Sequence, residues 1–312
     1  MAKILNFGSL NIDRVYSVKN IVREGETIAS SSLNSFPGGK GLNQSIALSR
    51  AGAEVYMAGG LGRGSEQLLE MMVENRVDVS LLEKRDVESG HAIIQVDEDG
   101  RNCIVIFHGS NFGNTEKYIK RVISNFSEGD YLVLQNEIDG LAEIIEAAWQ
   151  QKLKIVLNPS PINAKLLALD MNKIDILILN EHEAKAILES DPNRNAHDHY
   201  SSLNGEVLID LLHRQFPEAL IVLTMGEEGS LLCDADARLI YQTAYKTQVV
   251  DTTAAGDTFT GYFLAALIAG KEYKEALEKA SIASALSVSR VGASPSIPFF
   301  QEVETLYEML FI

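Results

Sequence analysis

At 312 residues, 46% hydrophobic and 22% charged, the chain has the length and balance of a soluble globular enzyme, either one large α/β domain or a domain with a small appendage. Its formal net charge of −16, with no Lys- or Arg-rich run, excludes nucleic acid and anionic membrane as expected partners. Cys103 and Cys233 are the only cysteines, so no disulfide framework is implied and a reducing cytoplasm fits.

The chain opens on the strand-like run Ile4–Phe7 rather than on a leader, and no apolar run reaches membrane-spanning length, which predicts a cytoplasmic protein. Asn11-Ile12-Asp13 come directly after. Residues two apart at a strand end point the same way, so Asn11 and Asp13 can converge on one ligand. An amide beside a carboxylate suits a polyol. A turn built by Asn and Asp side chains explains the same residues. Residues 14–36 then break the α/β rhythm and read as antiparallel ribbon.

Phe36-Pro37-Gly38-Gly39-Lys40-Gly41-Leu42-Asn43-Gln44 leads into a helix over 41–51. Adjacent glycines admit a small ligand against bare backbone, and Lys40 and Asn43 supply polar contacts. The spacing is not that of a P-loop, and a tight strand-to-helix turn is the plainer reading. After the buried strand Val55–Ala58, Gly60-Leu61-Gly62-Arg63-Gly64 lacks the spacing and the acid of a dinucleotide fingerprint. Residues 91–96 and Asn102–Phe107, around the turn Asp97-Glu98-Asp99-Gly100, read as a second ribbon. Together with 14–36 they predict a small lid.

Strands over 131–134, 154–157, 176–179 and 220–223 alternate with helices over 138–150, Glu181–Glu189 and 206–214. Short buried strands with helical crossovers mean a parallel sheet covered on both faces. Parallel strands deliver ligand groups at their carboxyl ends, and Asn180-Glu181-His182-Glu183 stands at such an end. Asn180 and Glu183 share one side of the first helical turn and can organise Mg²⁺ and its waters around phosphates. They also spell a capping box, and both readings can hold. Thr224-Met225-Gly226-Glu227-Glu228-Gly229 either lines a nucleotide's phosphates or turns plainly into the next strand. His197-Asp198-His199, in the polar loop 191–204, reads as solvated. His182 lacks the order of a zinc site, and neither cysteine has metal-ligand spacing.

The most informative stretch is Asp251-Thr252-Thr253-Ala254-Ala255-Gly256-Asp257-Thr258-Phe259-Thr260-Gly261. It puts small residues and a carboxylate where a loop becomes a helix, and the chain from 255 onward reads as mostly helical. Free N–H groups at a helix start attract anions, phosphates above all. A polyphosphate in so acidic a chain needs backbone amides and a metal ion to neutralise it. Asp257 in that turn is placed to take a proton from an alcohol attacking the phosphate; a first-turn acid favoured by the helix dipole is the alternative.

In this order and at these separations, Asn11-Ile12-Asp13, Gly25-Glu26-Thr27, Gly38-Gly39-Lys40-Gly41-Leu42-Asn43-Gln44, Asn158-Pro159-Ser160-Pro161, Asn180-Glu181-His182-Glu183, the 251–257 turn and Arg290-Val291-Gly292-Ala293-Ser294-Pro295-Ser296 form a pattern. That pattern resembles the PfkB family of carbohydrate kinases over nearly the whole chain. The resemblance implies an α/β fold: a Rossmann-like three-layer α/β/α sandwich with a mostly parallel central sheet and a small β-sheet lid. It implies one domain over 1–312, a lid over about 14–36 and 91–107, and a homodimer paired through the lid.

The resemblance further implies transfer of the γ-phosphate of ATP to a primary hydroxyl of a small sugar, D-ribose first. Another sugar or a nucleoside is the alternative acceptor. A non-catalytic sugar sensor would have no use for Asp257 over an anion hole. By the same resemblance Asp257 is the base, and Ala254, Ala255, Gly256 and Asp257 form the anion hole. Asn11, Asp13, Gly38, Gly39, Lys40, Asn43 and Glu137 hold the sugar. Asn180, Thr224, Gly226, Gly229 and Ser281 belong to the nucleotide, and Glu183 to Mg²⁺ through water. Asp251, Thr253, Ser287, Arg290, Gly292 and Ser296 surround K⁺, largely by backbone carbonyls. One departure stands out: where the family usually carries Gly-x-Asp, this chain reads Gly62-Arg63-Gly64, so an acid is missing.

Overall fold

The computed structural model of the protein describes residues 2–191, 200 and 203–311; His197-Asp198-His199 and most of the predicted loop 191–204 lie outside the described residues. In chain order, β1 (Ile4–Phe7) leads to β2 (Asn11–Ser17) and β3 (Ser32–Gly38), and α1 (Lys40–Arg50) returns to β4 (Val55–Ala58). Next come β5 (Gly60–Arg63), α2 (Glu66–Glu74), β6 (Glu83–Glu88), β7 (Gly90–Val96) and β8 (Asn102–Phe107). Then follow α3 (Glu116–Ile123), β9 (Tyr131–Gln135), α4 (Leu141–Gln150), β10 (Lys154–Asn158), α5 (Ala164–Leu167) and β11 (Ile176–Asn180). After α6 (Glu181–Glu189), α7 (Gly205–Gln215) and β12 (Leu220–Thr224) come β13 (Ser230–Cys233) and β14 (Leu239–Gln242). The remaining helices are α8 (Ala255–Ile268), α9 (Tyr273–Val288) and α10 (Phe300–Phe311).

Among the described residues the large sheet has eight strands in the order β14-β13-β12-β11-β10-β9-β1-β4. β4, β1, β9, β10, β11 and β12 run parallel, and β13 and β14 are antiparallel additions at one edge. Successive strand residues point to opposite faces, and here both faces are apolar. Leu5, Leu132, Leu134, Ile155 and Leu157 pack into one core cluster, with Ile119 of α3, Ile144 of α4, Ile187 of α6 and Leu208 of α7. Ile4, Val133, Val156 and Ile178 pack into the other, with Ile46 of α1, Phe263 of α8 and Leu277 of α9. The result is three layers, helix on sheet on helix, as the sequence predicts.

β3, β2, β7 and β8 form a separate four-stranded sheet. Its outer pairs are the expected antiparallel ribbons, β2 with β3 and β7 with β8. Its central pair, β2 with β7, is parallel, because both strands leave the body in the same direction. Asn11-Ile12-Asp13 therefore open a strand of the small sheet instead of capping the end of β1, a correction to the sequence reading. Their shared face survives it, since alternation along β2 still sets Asn11 and Asp13 on one side. Among the described residues no helix is long and apolar enough to cross a membrane.

Candidate active site

β9, β10, β11 and β12 each run one residue past their predicted apolar stretch, ending on Gln135, Asn158, Asn180 and Thr224. This polar row at the carboxyl edge of the sheet is where an open α/β sheet takes ligands. Above it lies a cavity of about 240 Å³ whose lining includes Lys40, Asn158, Asn180, Glu183, Thr224 and residues 254–257.

The first turn of α8 forms one wall. Ala254 caps the helix in the left-handed region at φ 61°, which turns the chain sharply from the 251–253 loop into the helix. Thr258 N–H already bonds Ala254 O at 2.8 Å, whereas among the described residues Gly256 N–H and Asp257 N–H have no acceptor. Such donors are orphaned by helix geometry and attract an anion. A Cβ on Gly256 would meet no protein atom within 4 Å, so nothing inside the fold demands glycine there.

The Asp257 carboxylate is held at both oxygens. Asn43 Nδ2 donates to Oδ2 at 3.0 Å and Gln44 Nε2 donates to Oδ1 at 2.9 Å. Both donors ride on α1, which packs against α8 at Gly261; a Cβ there would stand 2.4 Å from Ala47 Cβ. Asn43 Oδ1 in turn accepts from Ser294 Oγ at 2.7 Å. Gln44 Nε2 also donates to Asn158 Oδ1 at 3.2 Å, and its Oε1 accepts from Gln135 Nε2 at 2.7 Å. Gln135 Nε2 reaches Asn6 Oδ1 at 3.0 Å, while Gln135 Oε1 is buried without a partner. An orphaned buried acceptor costs about 1–3 kcal/mol.

The predicted sugar residues gather beside α1. Gly38 lies so close under Asp13 that a Cβ would come 2.1 Å from Asp13 Oδ2, and Gly39, at φ +97°, turns the chain into α1. Burial, with the charge of Glu137, pushes the Asp13 carboxyl up to about 6. Glu137 accepts from Ser9 Oγ and, at 3.1 Å, from Lys40 N–H. The charge of Asp257, then those of Glu137 and Glu183, raise Lys40 above the ordinary lysine value against the opposing effect of burial. Asn111 was not legible in the sequence. It donates to Asn11 Oδ1 at 2.7 Å and accepts from Leu10 N–H at 2.8 Å, so Asn11 turns its amide N–H groups elsewhere. Gly64, where the missing acid would sit, is exposed at φ +78°, and its neighbour Arg63 is paired with Asp86 and Glu88.

On the opposite side, Asn180 and Glu183 form a complete capping box: Asn180 Oδ1 accepts from Glu183 N–H at 2.9 Å, and Glu183 Oε2 from Asn180 N–H at 3.0 Å. Both also line the cavity. Thr224 does too, but Gly226 and Gly229 do not; they make the turn into β13, where a Cβ on Gly229 would stand 2.1 Å from Gln242 O. Ser281 Oγ accepts from Tyr245 N–H at 3.1 Å and donates to Thr243 O, tying that segment to α9.

The 251–253 and 287–296 segments meet behind the α8 turn. Asp251 accepts from Thr253 N–H, Thr253 Oγ1 and Gly292 N–H at 2.9, 2.6 and 2.9 Å. Burial would raise the Asp251 carboxyl, but these bonds together hold it below the ordinary carboxylate value. Ser287 Oγ and Ser296 Oγ bond each other at 2.8 Å, and Arg290 pairs with Glu302.

Comparison with known proteins decides the family, for the pfkB family carbohydrate kinase pattern matches residues 1–299. The chain belongs to the pfkB family of carbohydrate kinases. This pfkB-family chain is 31% identical over 303 residues to ribokinase of Haemophilus influenzae, covering 95% of each. It is similar to the crystal structure of ribokinase from Cryptococcus neoformans var. grubii in complex with ADP, with TM-score 0.85 and 31% identity over 98% of this chain and 100% of that one. The Arabidopsis thaliana ribokinase complexed with ribose and ATP gives TM-score 0.81 and 26% identity, over 98% of each chain.

Proposed function

We propose that this pfkB-family enzyme transfers the γ-phosphoryl group of ATP to the primary hydroxyl of D-ribose, giving ribose 5-phosphate. One observation carries the reading: a carboxylate fixed at both oxygens shares a polar cavity with two helix-start amides that have no protein acceptor. Near-full-length likeness to ribokinases, one of them solved with ribose and ATP, supports both the acceptor and the donor.

Phosphoryl transfer asks mainly for positioning and charge stabilisation. Asn11, Asp13, Gly38, Gly39, Lys40, Asn43 and Glu137 hold the sugar, and Asp257 takes the proton of the attacking hydroxyl. General-base help of this kind is worth ~10² to 10⁴-fold. The free amides of Gly256 and Asp257 receive the charge that builds on the transferred group, at roughly 3–4 kcal/mol per donor; the Ala255 N–H, expected in the same set, is instead bonded to Thr252 O at 3.3 Å. The Lys40 ammonium adds a fixed positive charge where the two substrates meet. Asn180 and Thr224 border the phosphates, Gly226 and Gly229 shape the nucleotide loop, and Ser281 fixes the segment beside the adenine.

Mg²⁺ fits the cavity. Glu183 brings one carboxylate there, and among the described residues no cluster of three acidic, His or Cys side chains is present; Mg²⁺ binds chiefly through waters and substrate phosphates with one or two carboxylates. When bound, it neutralises phosphate charge. K⁺ fits behind the α8 turn, where Asp251, Thr253, Ser287, Arg290, Gly292 and Ser296 bring two loops together and the Arg290 charge is already paired with Glu302. Its charge would steady the 251–257 turn.

The whole of 1–312 is read as one domain, with the small sheet as its lid. Leu33, Phe36, Ile104, Val105, Ile106 and Phe107 leave the two outer strands of that sheet apolar and exposed, which supports a homodimer paired there. Two free cysteines suit a cytoplasmic setting. The deciding assay mixes the protein with Mg·ATP and K⁺ against ribose, other pentoses, fructose, nucleosides and sugar phosphates, reading ADP release. Ribose turnover well above the rest is expected. Preference for a nucleoside or a sugar phosphate would replace the acceptor, and silence throughout would end the kinase reading.

A further inference from the structure

The amide chain beneath Asp257 has only one consistent orientation, set from two fixed ends. At one end Asn158 Nδ2 donates to the backbone carbonyl of Ile178 at 2.9 Å, so Asn158 turns its oxygen toward Gln44. At the other, Asn6 Nδ2 donates to Gly41 O and Ser45 Oγ, both at 2.8 Å, so Asn6 turns its oxygen toward Gln135. Gln135 must then point its NH₂ at both Asn6 and Gln44, and Gln44 must point its own NH₂ at Asn158 and Asp257. Carbonyls cannot donate, so reversing any member sets oxygen against oxygen.

The arrangement is bought with an unsatisfied group: Gln135 Oε1 is left without a donor, pressed against Gly8, where a Cβ would stand 2.3 Å away. Native structures rarely leave such an atom buried and unpaired. A network that only filled the core would have no reason to sacrifice it. The structure keeps the Gln44 donor aimed at the carboxylate instead.

We propose that Gln44 is a positioning residue for phosphoryl transfer. Fully buried and absent from the cavity lining, it acts chiefly through Asp257, presenting an N–H to Oδ1 while Asn43 takes Oδ2; its other N–H goes to Asn158. With both oxygens engaged by donors the carboxylate is locked in rotation. Gln135 and Asn6 act one step further back, preventing the Gln44 amide from turning over. The inference rests on the reading of Asp257 as the base. Lys40 of α1 is the charge that faces Asp257, and Glu137, after β9, and Glu183 of α6 act on Lys40 in turn.

The test compares the parent enzyme with Asp257→Asn, Gln44→Glu and Gln44→Met. It measures kcat from pH 5 to 9, KM for ATP and ribose, and ATP affinity by calorimetry. Gln44→Glu keeps the shape but sets a like charge against Asp257; the acid side of its kcat profile should move up by about one pH unit or more. Gln44→Met removes the donor without adding charge, and kcat should fall about tenfold with both KM values within about threefold. Should Gln44→Glu fail to fold, Gln44→Met alone decides. An inactive Asp257→Asn beside Gln44 variants of parental kcat and pH profile would overturn the positioning role while sparing the base. Turnover persisting in Asp257→Asn would overturn both.

Discussion

Asn43 Nδ2 lies 3.0 Å from Asp257 Oδ2, joining the first turns of α1 and α8 across 214 residues of chain. That bond and its neighbour from Gln44 make the carboxylate a fixed part of the cavity wall. Replacing Asp257 by Asn keeps the volume and removes the proton acceptor. We expect kcat to drop by at least about a hundredfold while ATP affinity, read by calorimetry, stays near the parent value.

Gly256 offers a sharper separation of folding from function. A methyl group added there meets no protein atom within 4 Å, so Gly256→Ala should shift the melting temperature by no more than about 2 °C. The methyl would project beside the free amides, and kcat/KM for ATP should fall by about tenfold or more. Unchanged kinetics would show that no phosphate approaches this turn.

Gly261 tests the helix contact that sets the geometry. A Cβ there would stand 2.4 Å from Ala47 Cβ and 2.8 Å from Leu48 N, so α1 and α8 would have to separate. Gly261→Val should cost about 1–3 kcal/mol in a denaturant titration. It should also lower kcat, because Asn43 and Gln44 sit on the helix that moves.

Asp13 predicts a pH dependence. Its carboxyl is raised from 3.8 to about 6, so it loses its charge, and with it the proposed grip on hydroxyls, as pH falls through about 6. KM for ribose should rise across that interval while KM for ATP stays flat. The sign for stability runs the other way. Between about 4 and 6 the folded chain holds a proton that the unfolded chain has released, so stability declines as pH rises through that window. Asp13→Asn should therefore melt higher than the parent at pH 8, with the gain vanishing near pH 4.

The buried parallel strands were legible because they are continuous apolar runs, and the glycine turns were legible because only glycine tolerates such close backbone. That the polar last residues of β9 to β12 continue the strands was not legible: Asn158 still pairs with Gln135 and Thr224 with Asn180, but backbone pairing leaves no mark on hydropathy. Asn111 and Gln135 were invisible for a related reason. Each is an isolated amide whose partner lies about a hundred residues away, and its role exists only in the folded chain. The parallel register of β2 on β7 is equally non-local. The capping-box reading of Asn180 and Glu183 is borne out, and the same side chains that close the helix also border the cavity.

Asn11 and Asp13 stand at the root of β2, the strand whose far end carries the small sheet away from the body. With Asn11 and Asp13 as the proposed partners of the sugar and the small sheet as the proposed lid, grip and cover would be one lever. A swing of this flap would also draw on the two side chains at its root, so letting go of a saccharide and admitting bulk water would become a single event.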